Sequence, residues 1–155
     1  MRLALYQPDI PQNTGTILRL AACLNVPVDV IGPTGFDMGD RSLKRAGLDY
    51  LDHVSLTRHT SFTAFEEARR GQSPVPRLVL LTSHGAISHL DFGFLPGDIL
   101  MLGRESAGVP DAVHAIVDGR VRIPMRPGLR SLNIAVAAAI VLSEGLRQTG
   151  GFPQP

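Results

Sequence analysis

Glycine, arginine and short polar side chains gather in three segments of this 155-residue chain, each directly after a candidate strand. Thr82-Ser83-His84-Gly85 follows Leu81, and Gly103-Arg104-Glu105-Ser106-Ala107-Gly108 follows Leu102. The third, Pro124-Met125-Arg126-Pro127-Gly128-Leu129-Arg130-Ser131-Leu132-Asn133, follows Ile123. Glycine lets a ligand come close to main-chain N–H and C=O groups. The second and third segments each feed a helix, whose first turn offers free N–H groups. Parallel sheets bind ligands at the carboxyl ends of their strands. The chemistry suggested between Gly103 and Asn133 is therefore the holding of a small molecule, largely by backbone.

Familiar alternatives fail on spacing. No G-x-G-x-x-G follows the first strand, and no Walker lysine follows Gly103 or Gly108, which argues against a dinucleotide or a nucleoside triphosphate. Gly-x-x-x-x-Gly alone reads more readily as a structural turn. His53, His59, His84, His89 and His114 show no metal-ligand spacing with carboxylates, so no metal is expected. Ser106 and Ser131 lack the surroundings of a nucleophile elbow. Cys23 is the sole cysteine, which excludes an intramolecular disulfide framework and a cysteine-based zinc site; it reads as a small core residue of an apolar helix.

Net charge gives no partner, because 15 basic residues balance 14 acidic ones to +1. Distribution says more. Lys44 is the only lysine, and the arginines are the better fork for phosphate oxygens. Arg41, Lys44 and Arg45 sit together, as do Arg126 and Arg130; at this level a solvated helix face and a polar loop are the readier explanation. No charged region followed by an apolar one opens the chain as in a signal peptide. The longest apolar run, Ile134 to Leu142, falls short of the roughly 18 residues a bilayer requires. A soluble, cytoplasmic protein is expected.

The elements that must position these segments alternate. Strands are expected at Arg2–Tyr6, Val26–Ile31, Val54–Leu56, Arg77–Thr82, Asp98–Leu102 and Val121–Pro124. The fourth and fifth are apolar almost throughout, as strands covered on both faces are. Helices are expected after a cap at Asn13 or Thr14, over Arg41–Ala46, around a Thr63/Glu66 capping box as far as Gly71, from Pro110 to Val117, and over Ser131–Gln148. This order describes one α/β domain over residues 1–155, with a mainly parallel sheet flanked by helices. The last helix is apolar all round between Ile134 and Leu142, so no side of it should face water. The sheet can cover one side; a second copy of the chain, or burial within the monomer, would cover the other.

Three ordered stretches resemble one family, the SPOUT-class RNA methyltransferases. They are Pro11-Gln12-Asn13-Thr14-Gly15-Thr16-Ile17-Leu18-Arg19, then Leu102-Gly103-Arg104-Glu105-Ser106-Ala107-Gly108-Val109-Pro110, then Ile123-Pro124-Met125 with Arg130-Ser131-Leu132-Asn133. The start Leu5-Tyr6-Gln7-Pro8-Asp9-Ile10-Pro11 and the stretch Arg45-Ala46-Gly47-Leu48-Asp49-Tyr50 are similar to the minimal members that methylate the ribose 2′-oxygen of the tRNA wobble nucleotide, residue 34, a cytidine or modified uridine. That subfamily usually has Ser-Asn where this chain has Ala135-Val136, and often a tyrosine at Ser143.

The resemblance implies a C-terminal trefoil knot, a homodimer and S-adenosyl-L-methionine as cofactor. It implies that Leu81, Gly103, Ile123, Met125, Ser131 and Leu132 line the cofactor pocket. Arg19, Asn13, Glu105, Ser131 and Asn133 would then form the catalytic group, and Arg41, Lys44, Arg45, Arg126 and Arg130 would meet tRNA. Arginine stays protonated, with a pKa above about 12. Arg19 is therefore expected to grip a phosphate and orient the 2′-hydroxyl, while phosphate or water takes the proton. Glu105 is expected to cap the helix near Pro110 or to fix its loop. Two rival readings stay open: a methyltransferase of the same fold acting on another tRNA position or on rRNA, and a catalytically silent module that binds the cofactor or RNA.

Overall fold

The computed structural model describes residues 1–39, 41–85 and 87–154, without the side chains of residues 42 and 47–49. Those exceptions include part of the Arg45–Tyr50 stretch, whose side chains at 47–49 lie outside the described residues. Seven strands form one sheet: β1 (Arg2–Tyr6), β2 (Val28–Ile31), β3 (Leu56–His59), β4 (Leu78–Leu81), β5 (Ile87–Ser88), β6 (Ile99–Leu102) and β7 (Gly119–Arg122). Their order is β3-β2-β1-β6-β4-β7-β5, and every pairing is parallel. The helices are α1 (Pro11–Cys23), α2 (Arg41–Gly47), α3 (Phe62–Arg70), α4 (Asp111–His114) and α5 (Ile134–Thr149), with a 3-10 turn at Leu48–His53.

Burial explains the order. All four residues of β2 and of β6 are buried, as are Leu3 to Tyr6 of β1. The outer strands carry polar residues: Thr57 and Arg58 of β3 and Arg120 and Arg122 of β7 are exposed. Two cores flank the sheet. On one face Leu3, Leu5, Leu100 and Leu102 pack with Ile17 and Leu18 of α1 and Ala138 and Leu142 of α5. On the other Ala4, Tyr6, Leu80 and Met101 pack with Phe65 of α3 and Val113 of α4. Each fully buried leucine stabilises the fold by roughly 1.5–3 kcal/mol relative to exposure.

Several boundaries differ from the sequence expectation. Helix α1 begins at Pro11, with Ile10 at its N-cap and no side-chain cap bond, so neither Asn13 nor Thr14 caps it. Proline fits a first-turn position because its missing N–H would have no helical partner there. Strand β3 lies later than Val54–Leu56, since its register is set by pairing Val28–Ile31 with Leu56–His59. Ser61, not Thr63, caps α3 by accepting from Ala64 N at 3.1 Å, and Glu66 is drawn into ion pairs with Arg69 and Arg70. Helix α4 is a single turn, and β7 begins at Gly119. Cys23 is exposed rather than in the core. The buried stripe of α1 is Thr14, Gly15, Ile17, Leu18 and Ala21, and two residues beyond Ala21 the helix has turned about 200°.

Helix α5 starts at Ile134, capped by Asn133, whose Oδ1 accepts from Ala135 N at 2.9 Å and Val136 N at 3.4 Å. Gly150 closes it in the left-handed conformation, at φ 62°. One face of α5 meets the sheet, but Val136 is 50% and Ile140 37% exposed in the single chain. The all-apolar stretch is thus only half covered by its own fold. No helix among the described residues is long and apolar enough to cross a membrane.

Candidate active site

Strand order decides which loops can meet. β1, β6, β4 and β7 are neighbours and parallel, so the segments after them emerge at one edge of the sheet. There they surround a cavity of about 640 Å³. Leu81, Thr82, Ser83 and His84 come from the end of β4; Gly103, Arg104, Glu105 and Gly108 follow β6; Ile123 and Met125 follow β7. Arg130 to Ile134 and Ala137 close the wall from the entry and first turn of α5. Leu80, Leu102 and Val109 add apolar surface. A slot of this size with apolar walls and main-chain polar groups at its rim is the usual build of a small-molecule site.

The glycines of the second loop have a structural task. Arg104 N donates to Gly108 O at 3.0 Å and Gly108 N to Arg104 O at 2.8 Å, closing a tight loop. A Cβ on Gly103 would stand 2.9 Å from Gly108 Cα, so this position must be bare for the loop to close. Gly108 itself adopts φ 65°, which favours glycine. The loop after β4 is equally tight, for a Cβ on Gly85 would lie 2.6 Å from the carbonyl carbon of Val121.

A hydrogen-bonded relay joins the three sequence-distant stretches. Glu105 Oε2 accepts from Asp9 N at 3.0 Å and Oε1 accepts from Asn13 Nδ2 at 3.5 Å. Asn13 Oδ1 accepts from Asn133 Nδ2 at 2.9 Å, and Asn133 in turn caps α5. Glu105 therefore fixes its loop to the β1–α1 connection; α4 follows Pro110 at its N-cap with no side-chain cap bond, so Glu105 does not cap it. Burial, and then the neighbouring Asp9, push the Glu105 carboxyl above the usual range.

All six residues expected at the cofactor, Leu81, Gly103, Ile123, Met125, Ser131 and Leu132, are on the cavity wall. So are Asn13, Glu105 and Asn133. Arg19 is not. It projects from the exposed side of α1, its guanidinium 4.8 Å from the centre of the Tyr50 ring. Arg41, Lys44 and Arg45 are exposed on α2, which packs against α1. Arg130 lines the cavity, whereas Arg126 is exposed off its wall. Sequence reasoning passed over Asp9, Arg104 and His114 as participants. Asp9 and Arg104 follow adjacent strands, and that adjacency of β1 and β6 was the missing signal.

Comparison with known proteins gives the family and fold. Residues 1–143 match the SpoU rRNA Methylase family. A tRNA (cytidine(34)-2'-O)-methyltransferase from Beijerinckia indica subsp. indica is 60% identical over 152 residues, spanning 97% of this chain and 92% of that protein. A solved structure described as giving insights into the 2-OH methylation of C/U34 on tRNA is 44% identical, with a TM-score of 0.88 over 95% of this chain and 94% of the other. The SpoU methyltransferase AviRb from Streptomyces viridochromogenes, solved in complex with the cofactor AdoMet, is 29% identical, with a TM-score of 0.87 over 96% of this chain and 57% of that one. With family, sheet and cavity in agreement, the chain belongs to the SpoU rRNA methylase family.

Proposed function

We propose that the protein transfers a methyl group from S-adenosyl-L-methionine to the ribose 2′-oxygen of nucleotide 34 in the tRNA anticodon loop. The observation that carries this is the cavity itself, built at the ends of β4, β6 and β7 and tied through Glu105 and Asn13 to the α5 cap. The family description names rRNA, but relatives alike over nearly their whole length are named for cytidine 34 of tRNA, which favours that substrate.

The residues present suit the cofactor. Leu81, Leu102 and Ile134 offer apolar surface for a flat base, and main-chain groups around Gly103, Ile123 and Leu132 can meet its polar edge and an amino-acid tail. When bound, S-adenosyl-L-methionine supplies an already activated methyl group, so the protein's part is binding and alignment. Such alignment contributes up to roughly 7–11 kcal/mol in well-oriented cases. Asn13 and Asn133 hold one another in fixed orientation beside the cavity, and Ser131 stands on its wall. These three, with Glu105, are assigned to positioning the ribose.

Arg19 is assigned to the phosphate beside the target ribose, orienting the 2′-hydroxyl while phosphate or water takes its proton. Because Arg19 is off the wall of its own chain's cavity, this role fits a homodimer in which a second copy covers Val136 and Ile140. Arg41, Lys44, Arg45, Arg126 and Arg130 are assigned to the RNA backbone. The segments after β6 and β7 are further assigned to a C-terminal trefoil knot in one cytoplasmic domain. Titration calorimetry with S-adenosyl-L-methionine followed by methyl transfer to tRNA tests the reading. Binding with turnover is expected; binding with no turnover on any RNA would leave a silent module.

A further inference from the structure

Beside the site lies a second carboxylate, Asp9, in the connection from β1 to α1. Its main-chain N–H donates to Glu105 Oε2, and its Oδ2 accepts from the Ser106 hydroxyl, with Arg104 Nε 3.8 Å from that same oxygen. The 3.0 Å bond from Asp9 N to Glu105 Oε2 sets the Glu105 carboxyl group directly beside Asp9. Asp9 Oδ1 is buried, and no N–H or O–H donor among the described residues reaches it. A buried acceptor without a donor is costly. Two ionised carboxylates facing each other repel, and one proton held between them removes both penalties.

The surroundings place that proton. Burial and then the side-chain interaction with Asp9 raise the Glu105 carboxyl above its ordinary range. Burial acts to raise Asp9 as well, but hydrogen bonds from Glu105 and Ser106, with the charge of Arg104, outweigh it and hold Asp9 below its ordinary range. The other ionisable groups on this wall are His84, Arg104, His114 and Arg130. The segment packed on Asp9, where a Cβ at Gly35 would stand 2.7 Å from Asp9 Cβ, carries Asp37, whose carboxylate is engaged with Gly39 N at 2.8 Å.

We propose that Asp9 is a positioning residue of the methyl-transfer site: it accepts a proton carried by Glu105, and that shared proton locks Glu105 in the orientation that holds Asn13. This rests on the function proposed above. The lock sets which end of the Asn13 amide faces Glu105 and which faces Asn133, and so fixes the start of α1 against the α5 cap. Since the Glu105 value is raised, the proton is present below the folded value and is lost as pH rises through it. Positioning should fail on the alkaline side, where two carboxylates repel.

Two measurements on the full-length protein test this. Difference infrared spectroscopy of wild type against Asp9→Asn across pH should show a protonated-carboxyl band that disappears as pH rises and is absent from the variant. Asp9→Ala should lower kcat about 10-fold or more while the KM for tRNA changes by less than about 2-fold, and Asp9→Glu should restore most of the loss. Asp9→Asn, close to isosteric, keeps the kinetic test open should Asp9→Ala fail to fold; its kcat should lose the alkaline decline shown by wild type. A missing band in wild type, a band that persists in Asp9→Asn, or wild-type turnover by Asp9→Ala would each overturn the proposal. If wild type itself fails to methylate tRNA, the proposed function falls, and the infrared comparison still decides the proton.

Discussion

The cavity and the basic face of α1 and α2 differ in how complete they are within one chain. The cavity is walled by segments after β4, β6 and β7 and by the start of α5 of the same chain, and Glu105, Asn13 and Asn133 on it are bonded in series. On the other face, Arg41, Lys44 and Arg45 are exposed and Arg19, also exposed, lies over the Tyr50 ring. Small-molecule binding needs a preformed, enclosed slot, which one chain can fold around. Gripping RNA needs phosphate-facing charges spread over a wider surface, which a single small domain can leave to be completed by its substrate or by a second copy.

That difference can be broken at the cavity with the largest effect. Gly103→Val would press branched side-chain atoms into the Gly108 backbone, where even a Cβ is too close. Affinity for S-adenosyl-L-methionine should drop about 100-fold or more by calorimetry, in line with a site displaced by about an ångström. Unchanged affinity would mean the loop is not part of the binding wall. Arg19→Lys probes the other face and should lower kcat by about 10-fold or more while leaving cofactor affinity intact, because lysine lacks the fork that matches phosphate. Near-normal turnover with unchanged RNA affinity would remove Arg19 from the reaction.

A smaller, graded effect is expected from charge. Replacing Arg41, Lys44 and Arg45 together by alanine should weaken tRNA binding and reduce the salt slope by about 2, since each neutralised phosphate of a single strand accounts for roughly 0.7 of that slope. Filter binding at several salt concentrations reads this directly. Smallest of all is an effect on stability remote from both regions. The ion pairs of Glu66 with Arg69 and Arg70 outweigh the burial that would raise its carboxyl and hold it below the usual range. A depressed value means the contribution is present above the unfolded value and is lost as pH falls through the folded one. Glu66→Gln should therefore melt lower than wild type at neutral pH, and the gap should narrow in acid.

The sequence made the central sheet legible because its strands are apolar on both faces, and Leu78–Leu81 and Ile99–Leu102 have no solvent side to disguise them. It did not disclose β5, where two residues become a strand only through their register with Val121 and Arg122. Helix α4 reads longer than it is, because Pro110 marks a start but no local signal marks the stop at His114. The cavity wall was readable from glycines at strand ends together with the family motifs. Asp9 was not, since its meeting with Glu105 depends on β1 and β6 lying side by side across 96 residues of sequence. The half-covered α5 also needed the structure, because periodicity shows that the helix is apolar but not which side the sheet takes.

Methyl transfer to the wobble ribose is put to the sharpest test by mass-spectrometric mapping of tRNA treated with the purified protein and S-adenosyl-L-methionine. One added methyl group is expected on the ribose of nucleotide 34, with none elsewhere in the tRNA. A methyl group on a base, at another tRNA position, or on rRNA alone would contradict the proposed function.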